Sequence, residues 1–91
     1  MSFPMDAAVS RRTDALWTQV DADVVILADD YYLTLDSVGR RIWELIEQPT
    51  TVWAVCNQLA REFNASADTI SADVVPFLDR LSREGLLSRG R

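Results

Sequence analysis

Two hydrophobic periods divide this chain. Up to residue 35 apolar positions tend to alternate, and from residue 36 they recur at helical spacing. The stretch ALWTQVDADVVILADDYYLTLD reads as three strands, Ala15–Val20, Asp23–Ala28 and Tyr31–Leu35. The pairs Asp21-Ala22 and Asp29-Asp30 separate them at the length that tight hairpins require. The first strand alternates Leu16, Thr18 and Val20 against Trp17 and Gln19. The third places Leu33 and Leu35 on one face and Tyr32 and Thr34 on the other. The middle run VVIL is apolar on both faces, which predicts a central strand.

Three helices follow. Asp36 or Ser37 is a good N-cap for the first, whose stripe is Val38, Ile42, Trp43, Leu45 and Ile46, and Gln48-Pro49 stops it. Thr50 or Thr51 caps the second, with Val52, Val55, Cys56, Leu59, Ala60 and Phe63 inward, and Asn64-Ala65 ends it. Ser66 or Asp68 opens the third, with Ile70, Val74, Phe77, Leu78 and Leu81 facing a core. Gly85 is a natural residue just past its end, and Leu86 suits the hydrophobic contact of a Schellman stop. Pro76 predicts a kink in this helix, or a fresh start near Val74, because its ring removes one amide donor. The order predicts an α+β fold in which a three-stranded antiparallel sheet precedes three helices, winged-helix-turn-helix-like in shape. Residues 1–13 read as a flexible arm, 14–87 as the domain and 88–91 as a frayed tail.

Composition narrows the chemistry. Ninety-one residues suffice for one domain with one core. All nine basic residues are Arg, His is absent, and the formal charge is −5. Without His the commonest general base and metal ligand are missing. The single Cys56 excludes an internal disulfide and a Cys-cluster metal site, and it falls on an apolar helical stripe as a structural thiol would. No carboxylate pair stands out as an acid/base couple. Trp17, Trp43 and Trp53 read as packing residues before ligand platforms. The inventory favours a non-catalytic binding module with no cofactor. Helices two and three could form a DNA-reading unit, yet the third exposes Asp68, Asp73, Asp79 and Glu84 against Arg80 and Arg83. That balance suits a phosphate backbone poorly, so nucleic acid is not the expected partner. No run is long and apolar enough to span a membrane, and MSFPMDAAVS lacks the basic and apolar regions of a secretory signal, which points to a cytoplasmic protein.

The third strand is the element with something left over. If the second strand is central, the third has a free edge, and it carries no Lys, Pro or Gly to protect it. The third helix is expected beside it. A strand edge flanked by a helix can take an extended peptide as an added strand; the plain alternatives are a solvated edge or a dimer contact.

Several motifs in order then carry a resemblance. They are Leu35…Gly39, Ile42-Trp43-x-Leu45, Thr51-Val52, and the segment from Asp73-Val74 to Leu87. Together, over about residues 14–87, they resemble the PqqD-like family of leader-peptide recognition elements. The resemblance implies a non-catalytic adaptor that holds the leader of a ribosomally made precursor peptide as an extra strand on the third strand, beside the third helix. A free-standing, Lys-free version looks like the leader-binding protein of lasso-peptide systems, whose partners are a leader peptidase and an ATP-dependent macrolactam synthetase. The alternatives are a peptide chaperone of the PQQ pathway serving a radical enzyme and, more distantly, a winged-helix DNA-binding regulator. Gln48-Pro49 departs from the Asp-Gly-like turn of many relatives. For such a groove the expected walls are Tyr31, Tyr32, Leu33, Thr34 and Leu35 on the strand, and Val75, Leu78, Asp79 and Ser82 on the helix. Asp79 or Arg83 would fix polar groups of the guest.

Overall fold

The structure, a computed structural model, describes residues 3–28 and 30–89. The elements in order are β1 (Ala8–Arg11), β2 (Trp17–Val20), β3 (Asp23–Leu27), β4 (Tyr32–Leu35), α1 (Ser37–Leu45), β5 (Thr50–Thr51), α2 (Val52–Phe63), α3 (Ala67–Arg83) and β6 (Leu87–Arg89). The antiparallel sheet β2-β3-β4 followed by three helices is the α+β, winged-helix-like arrangement expected. β3 is central, pairing Thr18 with Val25 on one side and Val25 with Thr34 on the other. Asp21, at φ 56, provides the left-handed residue of the first turn. Asp29 of the second turn lies outside the described residues.

The helix ends follow their capping chemistry. The side chains of Asp36, Thr51 and Ser66 accept from Gly39, Ala54 and Thr69 N–H groups. Asn64 ends α2 in the left-handed region. Past α3, Gly85 at φ 74 lets Leu86 N–H donate to Leu81 C=O and its own N–H donate to Ser82 C=O, the paired bonds of a Schellman stop. Pro76 does not restart the helix, since α3 runs unbroken from Ala67 to Arg83. Pro76 and Ala72 are both exposed, so the carbonyl that loses its partner is on the water side.

Two segments differ from the sequence reading. The stretch expected as a flexible arm contains β1, the middle strand of a second small sheet, β5-β1-β6. β1 pairs Val9 with Thr50 and with Arg89, and Val9 is buried. The tail expected to fray supplies β6; residues 1–2 and 90–91 lie outside the described residues. Arg11 then extends from β1 over the rings of Trp17 and Trp43, at 4.8 and 5.2 Å, and donates to the Trp43 carbonyl. Trp17 meets Trp43 edge-on at 6.3 Å.

One core joins the sheet to the helices: Val24, Ile26, Leu33 and Leu35 from β3 and β4, Ile42, Trp43 and Ile46, Val55, Cys56 and Leu59, and Val74, Leu78 and Leu81. Burial pushes the Cys56 thiol up, as a packing residue requires. Phe63 of the expected α2 stripe is instead exposed. Arg41 on α1 clamps Glu62 on α2 at 2.6 Å and holds that carboxyl down to about 2. Among the described residues no helix is long and apolar enough to cross a membrane.

Since Val9 joins the main core from outside the expected domain, Val9→Ala is expected to lower stability by about 1–3 kcal/mol in urea denaturation. An unchanged midpoint would show that β1 is not part of the cooperative unit.

Candidate functional site

β4 owes its geometry to its two leucines. Leu33 and Leu35 are buried, while Tyr32 is 71% exposed and Thr34 is exposed. The backbone alternates with them. Ala28 N–H donates to Tyr31 C=O, so the pair 28/31 is a hydrogen-bonded pair of the ladder. Pairs 26/33 and 24/35 then follow in the same phase, and 27/32 and 25/34 are the non-bonded ones. Leu33 and Leu35 therefore turn their amides and carbonyls toward β3. Tyr32 and Thr34 turn theirs outward, where the sheet order β2-β3-β4 has no further strand among the described residues. The free edge thus offers two donors and two acceptors.

Beside this edge lies a groove of about 440 Å³, lined by Thr34, Leu35, Asp36, Val38, Gly39 and Ile42, and across from them Asp73, Phe77 and Arg80 of α3. Beyond Arg80, outside the groove lining, Glu84 lies near Tyr31. The nearby Glu84 carboxylate, with desolvation adding to it, raises the Tyr31 phenol above its ordinary pKa. α3 thus runs antiparallel to β4, with Asp73 near Asp36 and Glu84 near Tyr31. The lengths agree: Asp73 to Glu84 rises about 16 Å along a helix, and Tyr31 to Asp36 spans about 16 Å of extended chain.

Gly39 makes the close approach possible. A Cβ at this position would stand 3.2 Å from Phe77 Cε1 and 3.3 Å from Leu35 Cβ. Without one, the Phe77 ring lies against α1 and becomes the apolar floor of the groove.

Of the expected strand residues, Thr34 and Leu35 line this groove, and Tyr31, Tyr32 and Leu33 do not. Tyr31 precedes β4 rather than belonging to it, and Leu33 and Leu35 contribute as buried anchors. The expected helix residues are not brought to the groove. Leu78 is wholly buried, and Val75, Asp79 and Ser82 lie on the opposite flank of α3 from Asp73, Phe77 and Arg80. At about 100° per residue, positions 73, 77, 80 and 84 form one side of the helix and 75, 79 and 82 the other, with 74, 78 and 81 between them. Arg83 lines a different hollow, with Arg12, Asp14, Leu16 and Leu27. Sequence reading assigned Phe77 to the core. The only hint otherwise was its 100° offset from Leu78, the centre of the stripe. Among the described residues no cluster of His, Cys, Asp or Glu could hold a metal ion.

The outer sheet face is also notable. Leu16, Leu27 and Tyr32 form one exposed cross-strand row. With Thr18 and Val25 they line a shallow apolar depression.

Comparison with known proteins decides the family. The family model described as coenzyme PQQ synthesis protein D (PqqD) matches residues 23–87. The chain belongs to the PqqD family. It is 34% identical over 67 residues to a PqqA binding protein of Rhodopseudomonas palustris strain BisB5, and 33% identical to that of strain HaA2. Each match covers 74% of this chain and 66% of the relative, just under two thirds of its length. Among solved structures, TbiB1 in complex with the TbiA(beta) leader peptide superposes with a TM-score of 0.77 at 26% identity, covering 90% of this chain and 98% of that one. The PqqD portion of Methylobacterium extorquens PqqCD, described as a stand-alone recognition element for ribosomally synthesized and post-translationally modified peptides, shares the fold. Its TM-score is 0.78 at 22% identity, over 96% and 95% of the two chains. The PqqD match begins at Asp23, the start of β3, and so includes β4, α1, α2 and α3 but not β1 or β2.

The proximity of Tyr31 to Glu84 can be observed directly. In NMR titration the Tyr31 ring is expected to deprotonate above the ordinary range near 10, and Glu84→Gln to bring it back. A Tyr31 titration insensitive to Glu84 would separate α3 from this end of β4.

Proposed function

We propose that this chain is a non-catalytic recognition domain that binds the leader segment of a ribosomal precursor peptide as an added strand on β4, in the groove shared with α3. The outward backbone of Tyr32 and Thr34 carries this reading, because it is a pairing template with an apolar wall beside it. A guest strand would place alternate side chains into the groove over Phe77 and the others beside Tyr32 on the outer face. The TbiB1 likeness supports it, since that structure holds a leader peptide.

Magnitudes say which residues matter. Four backbone hydrogen bonds contribute about 0.5–1.5 kcal/mol each. Ordering and docking a flexible peptide costs about 4–15 kcal/mol. Pairing alone does not reach useful affinity, and each buried apolar anchor adds about 1.5–3 kcal/mol. Phe77, Val38 and Ile42 line the place where such anchors would sit.

For the partner, the family match and the two relatives described as PqqA binding proteins favour a precursor of PqqA type, delivered to a radical enzyme, over the lasso-peptide route. The leader peptidase and macrolactam synthetase of that route have no comparable support.

Thr34→Pro tests the edge, since its amide points away from β3 and its loss leaves the β3–β4 ladder intact. In a titration with synthetic PqqA peptide, affinity is expected to fall at least about tenfold, the equivalent of 1.4 kcal/mol, with the melting temperature little changed. Full affinity in a folded variant would contradict strand addition at β4.

A further inference from the structure

The groove is charged in a definite order along its length, and that order bears on how a guest lies in it. At one end Asp36 and Asp73 face the same space from opposite walls, and neither has an ion-pair partner among the described residues. Phe77 follows one helical turn along α3, and then Arg80, which also makes no ion pair among the described residues. Glu84 lies beyond it, outside the groove lining and near Tyr31, and Asp30 sits in the turn outside the strand. From the Asp36 end, the wall thus reads acidic, aromatic, basic.

The geometry points to a guest strand whose groove-facing side chains run basic, apolar, acidic from the Asp36–Asp73 end toward Arg80, so that charge order fixes the direction in which the guest lies. This rests on the strand-addition reading above and names the class of peptide that the site takes. Spacing supports it. Asp73 to Arg80 rises about 10.5 Å along α3, and groove-facing residues of a strand recur about every 6.7 Å, so three consecutive ones, about 13 Å end to end, reach both charged ends. Backbone pairing leaves direction open, because a strand edge can pair with a parallel or an antiparallel neighbour. The alternating Leu33 and Leu35 are similarly apolar and give no polarity of their own. The charges are the asymmetric feature of the groove. At physiological salt, exposed charges farther apart than about 8 Å are largely screened, so each guest charge senses chiefly its neighbouring wall group.

The test uses isotope-labelled protein and two short synthetic peptides that alternate Thr with three inward residues, Lys, Leu and Glu in one peptide and Glu, Leu and Lys in the other. Each carries a nitroxide at its N-terminus. The first is expected to broaden amide signals around Val38 and Gly39, and the second those around Tyr31 and Glu84. In the double variant Asp73→Lys with Arg80→Glu, the two patterns are expected to exchange. Each of these single substitutions is expected to weaken the matched peptide about two- to fivefold at low salt, as an exposed ion pair allows. If both peptides broaden the same end, or the double variant leaves the patterns as they were, charge order does not direct the guest and the proposal fails while strand addition stands. If neither peptide, up to millimolar concentration, perturbs β4 and α3 amides, strand addition at this edge fails with it.

Discussion

The burial of Leu33 and Leu35 sets the phase of β4, and the candidate site depends on that phase. These two side chains belong to the core cluster that also holds Ile26, Trp43 and Leu78. Slipping the strand by one residue would bring Tyr32 and Thr34 inward and expose both leucines, a change that hydrophobic burial opposes strongly. Pinning the side chains also pins the peptide groups. The amides and carbonyls of Leu33 and Leu35 pair with β3, and those of Tyr32 and Thr34 are left facing out. A core-packing requirement thereby produces a backbone surface that a second chain can read.

The second constraint is the approach of α3 to α1. Gly39 and Phe77 meet where no Cβ could be placed without displacing the ring. The contact puts an aromatic floor beneath the free edge and aligns a helix and a strand of matching length. In the proposed binding mode the strand edge would supply orientation-tolerant hydrogen bonds of modest net worth, and the helix the side chains that distinguish one guest from another. Such a division would let a domain without His, with one buried thiol and no metal cluster among its described residues, select a guest.

Much of this was legible in the sequence because the relevant contacts are local. The hairpins β2-β3 and β3-β4 join neighbours in the chain, so alternation and two-residue turns expose them, and Asp36, Thr51, Ser66 and Gly85 mark helix ends by chemistry that acts within a few residues. β1 was not legible. Its four residues are too few for a period, and its partners, Thr50–Thr51 and Leu87–Arg89, are distant in sequence. The groove wall failed for a different reason. Periodicity identifies the buried stripe of α3, centred on Leu78, but not which flank turns toward β4. That depends on the handedness with which α3 packs against the sheet and α1. Val75 and Phe77 were both apolar neighbours of the stripe, and only the three-dimensional arrangement chose Phe77.

Hydrogen exchange at single residues of β4 tests the central claim most directly, with the labelled protein alone and with a saturating precursor leader peptide. The account expects Leu33 and Leu35 amides to be protected in both states, and Tyr32 and Thr34 amides to exchange rapidly in the free protein and become protected in the complex. Protection of Tyr32 and Thr34 without the peptide, or continued rapid exchange with it bound, would contradict the account.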